Sequence, residues 1–354
     1  MKQAQSSGAL MSIISVVLRF RVVLAVTAGA FMLSACSPVK MGGELAIKFT
    51  EDKTLPFMLQ DDDVDMACAS GETLTPVMRS IAVTGADPDQ LAAVMYVTAA
   101  YCSEQRAFAA ELRYLRAQHD NLISDAQDAR IEQKRQAAVA SRREYAAYQD
   151  MEHYFSKKFK VTIGGRCPSF HRSFDELSFM LGMIAGMQAL ADDINSENQV
   201  GVPMDIAAKV ERGMGCLDNE RWWGVPNGVR AMVWNMLPGA VPPGVDPWAV
   251  MIKSAQIGRE KGVRLSYALY AISAQTKGDD ARMRDALRRY AKDSKNFVVD
   301  PKFKILDAIS AVQMQNISDR YWTEHTGSRT PIGGLGTFWD DTHDSGQALN
   351  IDNL

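Results

Sequence analysis

The chain has 354 residues, a formal net charge of −3, and is 47% hydrophobic and 23% charged. So near a balance leaves no electrostatic footprint for DNA or RNA and no strongly acidic tail, and this argues against nucleic-acid partners. The length allows a sizeable core, built as one elongated helical body or as two compact domains.

Residues 1–35 read as a lipoprotein signal peptide. Arg19 and Arg21 precede an apolar stretch from Val22 to Met32, and Leu33-Ser34-Ala35-Cys36 forms a lipobox whose cleavage leaves Cys36 as a lipidated N-terminus. Val22 to Ala35 falls short of the roughly 20 apolar residues a spanning helix needs, and no stop-transfer charges follow. Two or more acyl chains on Cys36, at about 0.8 kcal/mol per buried CH₂, suffice for stable anchoring. Ser37, rather than Asp, follows the cysteine, a pattern that permits sorting to the outer membrane. The expected location is therefore the outer membrane, lipid-anchored and facing the periplasm. Residues 36–60 read as a lipidated tether with no helical period around Pro38, Gly42 and Gly43.

Residues 61–325 read as a helical-repeat domain. A first helix spans Asp61 to Val83, with Pro76 either kinking it or opening a short second piece. Asp61-Asp62-Asp63 and Asp65 lack the spacing of a calcium loop and suit an acidic first turn. Thr84-Gly-Ala-Asp-Pro-Asp89 stops one helix and starts another, with Gly85 suited to a left-handed end and Asp87 to a cap. Leu91, Val94, Met95, Tyr101 and Cys102 then recur at helical spacing, with Thr98 on the same stripe. An antiparallel pair about this turn brings Cys68 level with Cys102 for a disulfide, the alternative being two buried free thiols. Cys167 and Cys216 pair only by elimination; an oxidising periplasm lets such bonds persist.

Residues 111–147, dense in Arg, Gln, Glu and Ala, read as a long, charged, largely solvated helix or hairpin, with a break near Asp120-Asn121. Tyr145, Tyr148, Met151, Tyr154 and Phe155 restore an apolar stripe suited to a core. After a loop at Thr162 to Pro168, Phe174 to Ala191 is a central helix rich in Met and small residues, with Gly182 and Gly186 allowing close approach. Shorter helices follow over Val202–Met214, Pro226–Leu237, Trp248–Lys261, Leu265–Lys277, Asp279–Asp293 and Pro301 to about His325. Residues 326–354, rich in Gly, Thr, Asp and Asn, read as a poorly ordered tail. The fold class expected is all-α, with antiparallel helical hairpins stacked into a tetratricopeptide-like solenoid carrying a long charged insertion.

No catalytic residue, metal site or cofactor is expected. His119, His153, His171, His325 and His343 show no metal spacing, and there is no nucleophile elbow or phosphate loop. Gly333-Gly334-Leu335-Gly336 has no strand before it. All six Trp lie after residue 220, and Trp222, Trp223 and Trp234 gather with Met232, Met236, Tyr267 and Tyr270. Trp222, Trp223, Trp234, Tyr267 and Tyr270 are therefore the candidate ligand-binding residues, against ordinary packing between hairpins. Arg221 and Arg230 are candidates to fix a carboxylate, or plain surface charges.

The lipobox, the stretch from Ser141-Arg142-Arg143-Glu144-Tyr145 to Phe155, and the Leu177–Ala191 helix come in the order seen in the TatT family. These are the lipoprotein T-components associated with some TRAP transporters. Ala208–Leu217, the approach to Leu237-Pro238-Gly239, and Leu265, Tyr267, Ala268, Leu269 and Tyr270 are similar to its later blocks, so the resemblance runs over residues 60–325. Pro243-Gly244-Val245-Asp246 replaces the usual double glycine, and Arg264 stands where an amide is common. The resemblance implies a tetratricopeptide-like lipoprotein, trimeric in some members, with an apolar bore and a periplasmic solute-binding protein as partner. The function expected is that of a ligand-binding accessory component of a TRAP-type transport system for a hydrophobic or amphipathic solute. A scaffold lipoprotein gripping envelope proteins in a solenoid groove is the alternative.

Overall fold

Every regular element among the described residues, 38–341 of the computed structural model, is helical. The order is α1 (Pro38–Phe49), a wider turn at Thr50–Thr54, α2 (Leu55–Gln60), α3 (Val64–Ser80), α4 (Asp89–His119), α5 (Ile123–Phe159) and α6 (Ser173–Asn195). It continues with α7 (Ile206–Met214), α8 (Val225–Met236), α9 (Pro247–Lys261), α10 (Leu265–Thr276), α11 (Asp280–Ser294) and α12 (Lys304–Thr326). The all-α architecture of packed hairpins is as expected. The lipobox, Cys36, Ser37 and residues 342–354 lie outside the described residues.

Local chemistry sets the boundaries. The Asp63 carboxylate accepts the Met66 N–H at 2.8 Å, Asp246 that of Trp248 at 2.9 Å, and Asp279 that of Arg282 at 3.0 Å, each filling an orphan donor at a helix start. Asp61 accepts from Asp62 and Asp63, so the acidic run precedes α3 and ends in its cap, and Asp65 is the acidic residue of the first turn. Gly85 and Gly262 end their segments at φ 83° and 85°, a region that costs other residues strain.

Helices adjacent in sequence pack on one another, α3 on α4, α4 on α5 and α5 on α6, then α8 through α11. The last helix departs from an open solenoid. α12 returns to α4 and α10 and also touches α2 and α3. Its Arg320 Nε donates to Glu111 Oε1 at 2.9 Å, and Asn316 donates to Gln105 at 3.2 Å. One core cluster contains Leu91, Met151, Phe155, Phe179 and Met183; a second contains Met251, Tyr267, Met283, Leu287 and Met314.

By length and composition α6 is apolar enough to cross a membrane, yet 72% of its most apolar window is buried inside the protein. It is the expected central helix. Side chains rather than backbone use its glycines: a Cβ at Gly182 would lie 2.5 Å from Met151, and one at Gly186 2.6 Å from Tyr148.

Both disulfides form. Cys68–Cys102 joins α3 to α4 with Cα atoms 5.3 Å apart, and Cys167–Cys216 joins the α5–α6 loop to the end of α7 at 5.4 Å.

Three expectations change. The segment read as a tether is helical over residues 38–60, because tertiary contacts override its weak pattern: Leu55 is buried, Glu51 pairs with Arg172, and Gly43 lies against Thr84 and Ala86. The 111–147 segment is a hairpin broken at Asp120–Leu122, as expected, but its inner face is not solvated. Ala117, Ala126, Ala129, Ala137 and Ala140 are buried there, and such small side chains let α4 and α5 approach closely. Finally, residues 327–341 of the tail are packed. Phe338 is buried, Trp339 stacks on His325 with ring centroids 4.4 Å apart, and Arg284 holds Asp340 at 2.8 Å.

Between α3, α4 and α5, Arg106 grips Glu72 with two bonds of 2.8 Å while Arg143 donates at 2.6 Å. Hydrogen bonds from Arg106, reinforced by Arg143, lower the Glu72 carboxyl from the usual 4.5 to about 2. A depressed carboxyl pKa adds stability that is complete above the unfolded value and is lost as pH falls through the folded one. Thermal melts between pH 4.5 and 2 should therefore show a smaller loss for Glu72→Gln than for the native protein; equal losses would refute the role of this pair.

Candidate functional site

A cavity of about 610 Å³ lies between the first hairpins and the returning α12. That volume falls within the roughly 300–1,000 Å³ typical of small-molecule pockets. Leu55, Met58 and Leu59 of α2 form one wall, and Leu91, Val94 and Met95 of α4 another. Opposite them stand Leu181, Ile184 and Met187 of α6, Val229 and Met232 of α8, and Ile305, Leu306 and Ile309 of α12. α10 contributes Leu265, Leu269 and Ile272, each only partly buried although apolar. The bridged Cys68 sulfur belongs to the lining too.

The lining changes character along α4. From Leu91 to Thr98 it is almost wholly apolar, and from Tyr101 to Glu111 it turns polar. At 1.5 Å per residue, Leu91 and Glu104 stand about 20 Å apart along the helix axis. Gln188 Nε2 donates to Glu104 Oε1 at 2.8 Å, Gln313 donates to Glu104 Oε2 at 3.4 Å, and the Arg320–Glu111 pair lies farther along. The Tyr101 hydroxyl, on a side chain 6% exposed, has no hydrogen-bond partner, and burial raises its pKa. A buried donor without a partner costs about 1–3 kcal/mol, a penalty that a polar ligand group would relieve.

Behind Glu104 lie two more carboxylates. Glu144 of α5 and Asp192 of α6 bring an oxygen each within 4.8 Å of one on Glu104 and of one another. Burial raises all three carboxyls, with repulsion from neighbouring carboxylates adding to it at Glu144 and at Asp192, which rises to about 8.

The aromatic residues read as the ligand site do not line this cavity. Trp222, Trp223, Trp234, Tyr267 and Tyr270 are all buried within the protein's own packing. Trp222 meets Trp223 edge to face at 5.3 Å, and Trp223 meets Phe303 at 4.7 Å. Their polar atoms have partners as well: Trp222 Nε1 donates to Glu176 at 2.6 Å, Trp234 Nε1 to Glu211 at 3.1 Å, and Tyr270 to Asp285 at 3.1 Å, while Tyr267 bonds Asp293. Arg221 and Arg230 do fix carboxylates, but those of Glu176 and Glu211.

The cavity uses the other faces of the same helices. On α10, Leu265, Leu269 and Ile272 face the hollow while Tyr267, Tyr270 and Ala274 fill the second core. On α8, Val225, Val229, Met232 and Met236 line it while Trp234 does not. A segment apolar on every side reads as buried on every side, and its sequence does not distinguish a face against a neighbour from a face against a hollow. Comparisons of the chain with family models, with curated proteins and with solved structures return no match.

Proposed function

We propose that the protein binds a hydrophobic or amphipathic solute in the cavity, with its apolar part along α2, α8 and α10 and its polar part toward Tyr101 and Glu104. The observation that carries this reading is a hollow of about 610 Å³ walled by buried and partly buried Leu, Ile, Val and Met with polar groups at one end. In this proposal, acyl chains on Cys36 hold the protein on the periplasmic face of the outer membrane, where it serves a TRAP-type transport system through a periplasmic solute-binding protein. The scaffold alternative suits an open groove, and α12 closes the stack instead.

A fluorescent long-chain fatty acid tests the reading. Leu269→Trp should push an indole into the hollow and weaken saturable binding at least tenfold while the protein stays folded. Trp234→Ala, which empties a site in the packed core, should lower the melting temperature and leave affinity for the fatty acid within about twofold. Equal fatty-acid binding by native protein and Leu269→Trp would refute the assignment.

A further inference from the structure

We propose that Glu104, Glu144 and Asp192 bind one hard divalent cation, with Ca²⁺ the best fit, where α4, α5 and α6 meet behind the polar end of the cavity. The inference goes beyond solute binding and does not depend on it.

The first observation is the geometry. Three carboxylates from three helices place one oxygen each within a 4.8 Å span. Oxygens on opposite sides of a Ca²⁺ ion, at 2.3–2.6 Å from it, stand about 4.6–5.2 Å apart, so a span of at most 4.8 Å lies within the reach of one ion. All the donors are oxygens, which suits a hard cation over zinc or copper.

The second observation is Glu144 itself. Its side chain is 1% exposed, and neither carboxylate oxygen has a hydrogen-bond partner. The two flanking groups have partial support: Gln188 and Gln313 donate to Glu104, and Asn195 donates to Asp192 at 3.4 Å. The charged groups acting on the three are all carboxylates, Glu111 included. An isolated buried carboxylate is expensive unless paired or bound to metal, and here oxygens with no donor converge on one point.

The test uses full-length protein stripped with a chelator, followed by calorimetric titration and thermal melts with Ca²⁺, Mg²⁺, Mn²⁺ and Zn²⁺ in turn. The expected result is one Ca²⁺ per chain and a raised melting temperature. Glu144→Gln should weaken the binding at least tenfold while the stripped protein stays folded. Asp192→Asn, at a less buried ligand, supplies the same readout if Glu144→Gln does not fold, and the exposed Asp62→Asn should bind as the native chain does. Absence of saturable binding by any of the four ions would overturn the proposal. So would Ca²⁺ binding untouched by Glu144→Gln and Asp192→Asn, or binding of Zn²⁺ alone.

Discussion

Reducing both disulfides should leave the protein unfolded or close to it at ambient temperature. Cys68–Cys102 closes a loop with a sequence separation of 34 and Cys167–Cys216 one of 49, so the chain-entropy relation gives each about 4 kcal/mol of stabilisation. Together they approach the whole of a typical domain's roughly 5–15 kcal/mol. The two bonds do different work. Cys68–Cys102 fixes α3 against α4 beside the cavity, and its sulfur contributes to the lining. Cys167–Cys216 pins a loop to α7, away from the hollow. Paired alanine variants of each bridge, followed in denaturant, should lower the midpoint in both cases, while fatty-acid binding suffers more from loss of the first. An unchanged midpoint after full reduction would contradict the account.

Arg264→Ala is the single substitution expected to cost most, about 3–5 kcal/mol, because it strands a buried charge. Arg264 and Asp307 are joined at 2.6 Å and 2.9 Å, with the two side chains only 9% and 8% exposed. The backbone N–H of Arg264 adds a third bond to Asp307, and its guanidinium also donates to Ser294 at 2.7 Å. The rings of Tyr290 and Phe297 flank the guanidinium, their centroids 4.4 Å and 3.8 Å from it. This one side chain ties the start of α10 to α11 and α12, and through α12 it supports the closure over the cavity. Arg264→Met with Asp307→Leu should recover much of the loss, since an apolar pair of similar volume avoids the cost of desolvating charge. Chemical denaturation of both variants beside the native protein decides it; Arg264→Ala as stable as the native protein would sink the argument.

The hairpin architecture was legible because it rests on period and punctuation. The Leu91–Tyr101 stripe, the stop at Gly85 and the break at Asp120–Asn121 all act locally, and the turn at Gly85 offered the Cys68–Cys102 pairing against two free thiols. The cavity was not legible, because Leu269 and Ile272 look in sequence like any core residue. Whether a partly covered leucine faces a neighbour or a hollow depends on where α12 returns, a long-range matter. Tryptophan misled for the converse reason. An indole presents the same apolar area and N–H to a ligand or to a neighbour, and Glu176 and Glu211 already satisfy Trp222 and Trp234. The carboxylate cluster had no local signature at all, since its members lie on three different helices. The helices at 38–60 and the packed residues before 342 owe their order to docking rather than to propensity.

Native mass spectrometry of full-length protein, gently purified from the cells that make it, tests the central claim most directly. The cavity predicts a non-covalent apolar or amphipathic adduct, separate from any acyl chains on Cys36, that is depleted in Leu269→Trp prepared alongside. Repeated recovery of the native chain without an adduct, with no apolar compound in organic extracts of the same sample, would contradict it.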